Sequence, residues 1–420
     1  MTSTIDPTHR TSGYLIRVLS CAGLVLAALG LALPAAEDAD DATTTNLPEE
    51  QWPIGFKLPK EMVTGWKKAD RIINSNSANV LVWTPPKAKH LRALFLISPN
   101  TDSKNIGMHE PLRQVCAEQD VGIVYLRHID GSIVERSDPP EQAKAFFDRV
   151  MSMVAERSGF PEAAHAPWIT LGKSSRGRFP FRTTWWFPER VVASISYHGE
   201  TPTWPMADWS KAGDENVLHV AINGLTEWDG TWYRHVRPAL LNYHHHTGWL
   251  AHQLVLYGVG HGNYIDMHGS EGWGMKVPGK HISTKRIWSY IGAFIGEAMR
   301  LRVPADTYAT DGPIDLQAVE RSAGYLIHPR AIEELLGLKW FAFRQDDAGI
   351  YQTIKWPDET TPVYDSEQGT IPAEQLIRPA SAIPEDERAD YLWIPSRSLA
   401  KNWLSIHDLY KQSDKVLPKE

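Results

Sequence analysis

The chain has 420 residues, 42% of them hydrophobic and 22% charged, with 43 basic against 50 acidic residues and a formal net charge of −7. This is the profile of a folded globular protein, long enough for one large domain with an appendage or for two domains. No stretch gathers Lys and Arg into a phosphate-binding stripe, so nucleic acid is not an expected partner.

Residues 1–36 read as a signal peptide. Arg10 and Arg17 precede "VLSCAGLVLAALGLALPAA", an apolar run that ends in small residues, the order of a charged region, an apolar core and a cleavage site after Ala35 or Ala36. A retained anchor is the rival, since the run approaches the length that spans a bilayer. Cys21 lies before the apolar core, which argues against lipid attachment there. Cleavage leaves Cys116 alone and hence no internal disulfide. A secreted or periplasmic protein is expected, with no stable membrane association once the signal is removed. Residues 37–50 are acidic and Thr-rich and form a linker.

From residue 51 the pattern alternates. "ANVLVWTPP" and "RALFLISPN" predict strands, "HEPLRQVCAEQD" a helix and "VGIVYLRH" another strand. "EQAKAFFDRVMSMVAERSG" has helical spacing and stops at Gly159. "PWITLG" (strand), "FRTTWWFPER" (helix), "VVASISYHG" and "VLHVAING" (strands) follow. "WYRHVRPALLNYHHHTG" predicts a helix, "AHQLVLYGVGHG" a strand and "KRIWSYIGAFIGEAMRLRV" a closing helix. Strands apolar along their whole length are buried on both faces, and their alternation with helices implies an α/β fold with a mostly parallel central sheet flanked by helices. That domain is placed over 51–303. Residues 304–420 are read as a C-terminal extension packed on it or capping it, with "AIEELLGLKWFAF" as one helix and "YLWIPSRSLAKNWLSIHDLYK" as strand then helix.

Ligands of such sheets bind beyond the carboxyl ends of the strands. Four strand ends carry chemistry: Pro99-Asn100-Thr101-Asp102, Gly172-Lys173-Ser174-Ser175-Arg176-Gly177, Asn223 through Asp229, and Val259-Gly260-His261-Gly262-Asn263. A serine becomes a nucleophile when a histidine takes its proton, and the histidine needs a carboxylate on its other nitrogen. Serine, acid and histidine occur here in that order. The turn that exposes a serine between strand and helix demands small neighbours; Gly172 supplies one, and Gly177 suits close packing of the next helix. Ser174 is preferred to Ser175, whose minus-two neighbour is Lys173. His261, flanked by glycines, is the base. Glu227, three residues after Gly224, is the first choice of acid, with Asp229 and Glu200 as alternatives.

The segments "ITLGKSSRG", "AINGLTEWD" and "YGVGHGNY" resemble the α/β-hydrolase superfamily over roughly residues 75 to 300. The usual elbow is G-x-S-x-G; here Arg176 stands at plus two. The spacing of Gly172, Ser174, Gly177 and Arg178 is similar to the elbow of glucuronoyl esterases, although those carry Arg directly after the serine. The resemblance implies an oxyanion hole from the backbone N–H of Ser175 with that of Asn100 or Thr101. It also implies cleavage of a carboxylic ester through an acyl-enzyme, on a carbohydrate-linked or polymeric substrate. A serine peptidase and a non-catalytic relative that binds carbohydrate or a partner are the alternatives.

Seventeen tryptophans supply core aromatics or substrate platforms. Trp204 and Trp228, with Arg176, are the candidate substrate contacts, in a group with Trp185, Trp186, Trp209 and Trp232. His244, His245 and His246 cannot share one helix face and are expected to be solvated. No HExxH or CxxC pattern exists, so no metal or cofactor is expected.

Overall fold

Seven apolar runs buried along their whole length and one short, partly exposed edge segment line up as strands of one sheet. They are β1 (Ile54–Phe56), β2 (Val80–Trp83), β3 (Ala93–Ile97), β4 (Val121–Tyr125), β5 (Trp168–Lys173), β6 (Val191–Tyr197), β7 (Leu218–Gly224) and β8 (Leu250–Leu256). Their order across the sheet is β1-β2-β4-β3-β5-β6-β7-β8. β1 and β2 are antiparallel to their neighbours, and every pairing from β4 to β8 is parallel. This is an α/β architecture with a mostly parallel central sheet flanked by helices. The computed structural model describes residues 51–63, 73–74, 76–100, 103–127, 129, 141–199, 216–224, 227, 236–256, 259–261, 282–336, 343–345, 351–353, 369–406 and 413–417. The expected signal peptide and linker therefore lie outside the described residues.

The flanking helices are α1 (Glu110–Glu118), α2 (Glu141–Ser158), α3 (Phe179–Trp186) and α4 (Arg237–Thr247), which connect successive strands, and α5 (Thr284–Arg302), which follows β8. Their ends follow local chemistry. Gly159 after α2 has φ +75° and Gly248 after α4 has φ +74°, left-handed turns that a glycine makes without steric cost. Ser283 caps α5 by accepting from the Arg286 N–H at 3.3 Å. Among the described residues no helix is long and apolar enough to cross a membrane.

All residues of β3 to β8 are buried. Beneath the nucleophile segment the aromatic side chains interlock: Trp168 lies 4.6 Å from Phe187 and 6.0 Å from Phe147, centroid to centroid. Burial of each such ring contributes about 1.5–3 kcal/mol, so this cluster anchors the helix that follows the serine. Hydroxyls add direction. Thr183 Oγ1 donates to Thr170 Oγ1 at 3.2 Å, and Thr184 Oγ1 lies 2.9 Å from Ser194 Oγ, tying α3 to β5 and β6. Every described tryptophan except the partly buried Trp185 is buried, which makes these rings core rather than platforms. Trp204, Trp209, Trp228 and Trp232 lie outside the described residues.

Beyond residue 303 the chain adds β9 (Tyr325–Ile327), α6 (Ala331–Leu336), the hairpin of β10 (Phe343–Gln345) and β11 (Tyr351–Thr353), β12 (Ile377–Pro379), β13 (Leu392–Ile394) and α7 (Arg397–Ile406). Strands β12, β9 and β13 form a second, antiparallel sheet. Residues Glu50–Glu420 cluster as one compact unit. β13 packs on β8, the last strand of the large sheet, and α7 packs on α5. Trp403 Nε1 donates to the Gln253 carbonyl on β8 at 2.7 Å. The buried Arg237 of α4 grips the buried Glu333 of α6 with two bonds of 2.5 and 3.1 Å.

Two expectations are corrected. "AIEELLGLKWFAF" is not a single helix: α6 ends at Leu336, and Phe343–Gln345 is a strand paired antiparallel with β11. Aromatic residues such as Phe343 favour extended backbone once a partner strand is present. His244 is not solvated. It is buried, with Nδ1 bonded to the Trp249 carbonyl at 2.7 Å and Nε2 3.3 Å from the Arg388 carbonyl, because the later chain covers that face of α4.

Removing one member of a buried ion pair strands the other charge, at a cost of about 3–5 kcal/mol. Glu333→Gln is therefore expected to lower the unfolding free energy by about that much, read from urea denaturation. A change below about 1 kcal/mol, the range of an exposed pair, would contradict the buried geometry.

Candidate active site

β5 ends in Gly172-Lys173, and the chain turns at once into a short helical turn, Ser174–Arg176. Ser174 takes φ +53°, a left-handed conformation that costs a non-glycine residue about 1–3 kcal/mol. The strain lifts its side chain out of the strand end. A Cβ on Gly172 would stand 1.9 Å from the Arg176 carbonyl oxygen, so the turn closes over a position only glycine occupies. A Cβ on Gly177 would stand 2.5 Å from the Gly199 Cα. The close approach at this elbow is thus made by Gly177, three residues after the serine, which is why an arginine is tolerated at plus two. Asn100 Nδ2 donates to the Lys173 carbonyl at 2.7 Å and holds the end of β3 against the elbow.

β7 and β8 bring the other two groups in. A Cβ on Gly224 would lie 2.2 Å from the Gly260 carbonyl oxygen, so this glycine lets the loops after the two strands touch. Across that contact His261 Nδ1 is 2.5 Å from Glu227 Oε1, and His261 Nε2 is 2.7 Å from Ser174 Oγ. Glu227 is fully buried, while Ser174 and His261 retain partial exposure.

Glu227 has further donors. The Gly224 N–H reaches Oε2 at 2.9 Å, Asn223 Nδ2 at 3.3 Å and His198 Nδ1 at 3.2 Å. Burial alone raises a carboxyl pKa, yet His198 and His261 together outweigh it and hold Glu227 well below the ordinary 4.5, at about 2. An ionised carboxylate only accepts, so each histidine presents Nδ1–H to it. With its Nδ1 turned to Glu227, His261 presents Nε2 to the serine hydroxyl. Burial keeps His198 below 6.5 despite its acidic neighbour, so its link to Glu227 is a hydrogen bond from a neutral ring.

Ser174, Glu227 and His261 are thus brought together. Ser175 is exposed in the same turn and has no bond to His261, and Arg176 is half-buried there. Thr101, Asp229 and Glu200 lie outside the described residues. Two neighbours were given no site role from the sequence: His198, which directly follows β6, and the elbow residue Lys173, which is buried with Nζ 5.8 Å from the Tyr197 ring centroid. The signal for His198 is a histidine–glycine pair ending a buried strand, the same pattern as Gly260-His261-Gly262. His198, Glu227 and His261 are also the one group among the described residues whose ligand atoms lie within 4.8 Å of one another. Both Nδ1–H groups already point at the shared carboxylate, so an ion there would displace two hydrogen bonds.

No protein-family model matches the sequence, and no curated protein matches it. Among solved structures, the chain is similar to the esterase PE8 at 17% identity and TM-score 0.33, over 52% of this chain and 97% of that one. It is similar to a dienelactone hydrolase-like promiscuous phosphotriesterase from metagenomic libraries at 13% identity and TM-score 0.35, over 52% and 92%. A truncated carbohydrate esterase from gut microbiota aligns at 15% identity and TM-score 0.31, over 44% and 84%.

Two outcomes follow from this geometry. Gly172→Ala is expected to abolish reactivity at Ser174 while leaving far-ultraviolet circular dichroism unchanged, because the added methyl meets backbone. Glu227, depressed in the folded state, contributes stability that is complete above pH about 4.5 and lost as pH falls through about 2. The stability gap between wild type and Glu227→Gln, followed by denaturation from pH 7 to pH 2, should close as the medium becomes acidic.

Proposed function

We propose that this protein is a serine hydrolase that cleaves a carboxylic ester through an acyl-enzyme. The observation that carries the reading is the unbroken relay from Ser174 Oγ through His261 to Glu227, with steps of 2.7 and 2.5 Å. Ser174 Oγ attacks the carbonyl carbon as His261 Nε2 takes its proton. Glu227 holds the ring by Nδ1 and stabilises the imidazolium that forms. The oxyanion that develops is met by backbone N–H groups, that of Ser175 and one from the loop at Asn100 or Thr101. Collapse of the tetrahedral species breaks the ester C–O bond, and the alcohol leaves with the proton from His261. Water, deprotonated by the same imidazole, then attacks the acyl-serine and releases the carboxylic acid.

Preference for an ester over an amide is supported by the likeness of the Gly172-to-Arg178 spacing to glucuronoyl esterases. The same likeness favours a carbohydrate-linked or polymeric ester, with Arg176, Trp204 and Trp228 as substrate contacts. Export to the periplasm or medium is part of the proposal, supported by the charged, apolar and small-residue order of residues 1–36. Residues 304–420 are proposed to serve as an extension of the hydrolase domain placed over 51–303.

A fluorophosphonate probe tests the reading directly. Wild type is expected to form an adduct and Ser174→Ala none, and hydrolysis of p-nitrophenyl acetate should fall by about 10³-fold or more in Ser174→Ala and in His261→Ala. Equal lack of labelling in wild type and Ser174→Ala would sink the enzyme reading in favour of a binding role.

A further inference from the structure

His198 stands out among the buried groups near the site. It closes β6, it is wholly buried, and its backbone has φ +50°. A histidine held in the left-handed region is strained and persists where the surroundings over-determine it. Here they do: the His198 N–H donates to the Ile222 carbonyl at 2.7 Å, and Gly199 is wedged against both the Gly177 backbone and Ser196 Oγ. Asn223 Nδ2 adds a bond to the Gly199 carbonyl at 3.2 Å. The result of the strained turn is that Nδ1 points at Glu227 Oε2. The other ring nitrogen is buried and has no hydrogen-bond partner among the described residues, an arrangement that stability alone disfavours.

Glu227 needs what His198 supplies. A carboxylate has two oxygens that exchange places by rotation about one bond, and only Oε1 serves His261. Oε2 is pinned by Gly224 N–H on one side and by His198 on the other. Among the described residues, the charged and titratable groups around His198 are Glu227, His261, Lys173 and Tyr197. His261 lies across from it, with ring centroids 6.0 Å apart and planes at 71°.

We propose that His198 is a positioning residue, a second imidazole that fixes the rotation of Glu227 so that Oε1 stays on His261 Nδ1. The proposal rests on the hydrolase reading for its kinetic consequence but not for its geometry. His198 touches no reacting atom and acts through the carboxylate alone.

Two variants separate this role from a structural one. His198→Gly removes the imidazole and fits φ +50° without strain, while His198→Asn also tolerates that backbone and returns an N–H donor near the place of Nδ1. With p-nitrophenyl acetate, His198→Gly should lower kcat on the order of 10- to 100-fold with KM within about twofold, and displace the acid limb of the kcat–pH profile. His198→Asn should recover most of the loss and return the limb. Independently of turnover, the downfield proton resonance of His261 Nδ1–H should move in His198→Gly and return towards its place in His198→Asn. Unchanged kcat, pH limb and resonance in His198→Gly would overturn the proposal while leaving the hydrolase reading intact. Loss of cooperative unfolding in both variants would overturn it in favour of a structural role. A wild-type protein that takes no fluorophosphonate, yet whose resonance still responds, would remove the hydrolase reading and retain the positioning one.

Discussion

A buried carboxylate is the constraint around which this site is organised. Glu227 has no exposure to water, and an ionised group there is tolerable only when protein donors replace the lost hydration. Those donors come from the Gly224 backbone, the Asn223 amide, His198 and His261. They belong to the ends of three parallel strands, so satisfying one charge fixes the relative placement of the loops after β6, β7 and β8. The serine joins from a fourth strand through a single bond to His261.

Glycines make that convergence sterically possible. Gly172 lies under the elbow, Gly177 against Gly199, and Gly224 against Gly260, each at a separation that a methyl group would violate. The strain these contacts permit is local, at Ser174 and His198, non-glycine residues of the site with positive φ. Aromatic packing under α3 and the hydroxyl links of Thr183 and Thr184 hold the elbow's far side. Rigidity at the reactive end is thus supported by ordinary burial behind it. The added sheet and α7 cover β8 and α5, which shields the outer edge strand of the parallel layer from pairing with another chain.

The α/β alternation was legible from residue 78 to 303 because apolar runs and helical periods are local properties, and the strand ends then pointed to Ser174, Glu227 and His261. Of the second sheet only β13 was legible, as the strand in "YLWIP". Its partners β9 and β12 have three residues each, shorter than any window in which period two can be seen, and the run after Ala331 carried a helical spacing that tertiary pairing overrode at Phe343. His244 was misread for a related reason: its burial comes from Arg388, 144 residues away in the chain.

The amino-acid sequence by itself determined the parallel layer, the glycine that must precede the nucleophile and the chemical kinds of the three groups in the relay, since each depends on near neighbours. Only the tertiary structure decided that Glu227 receives His198 as well as His261, that Gly177 takes over the close contact usual at plus two, and which surfaces the last hundred residues cover. Hydrogen bonds to a buried charge and backbone contacts between distant glycines have no period in a linear chain; they exist once the strand ends meet.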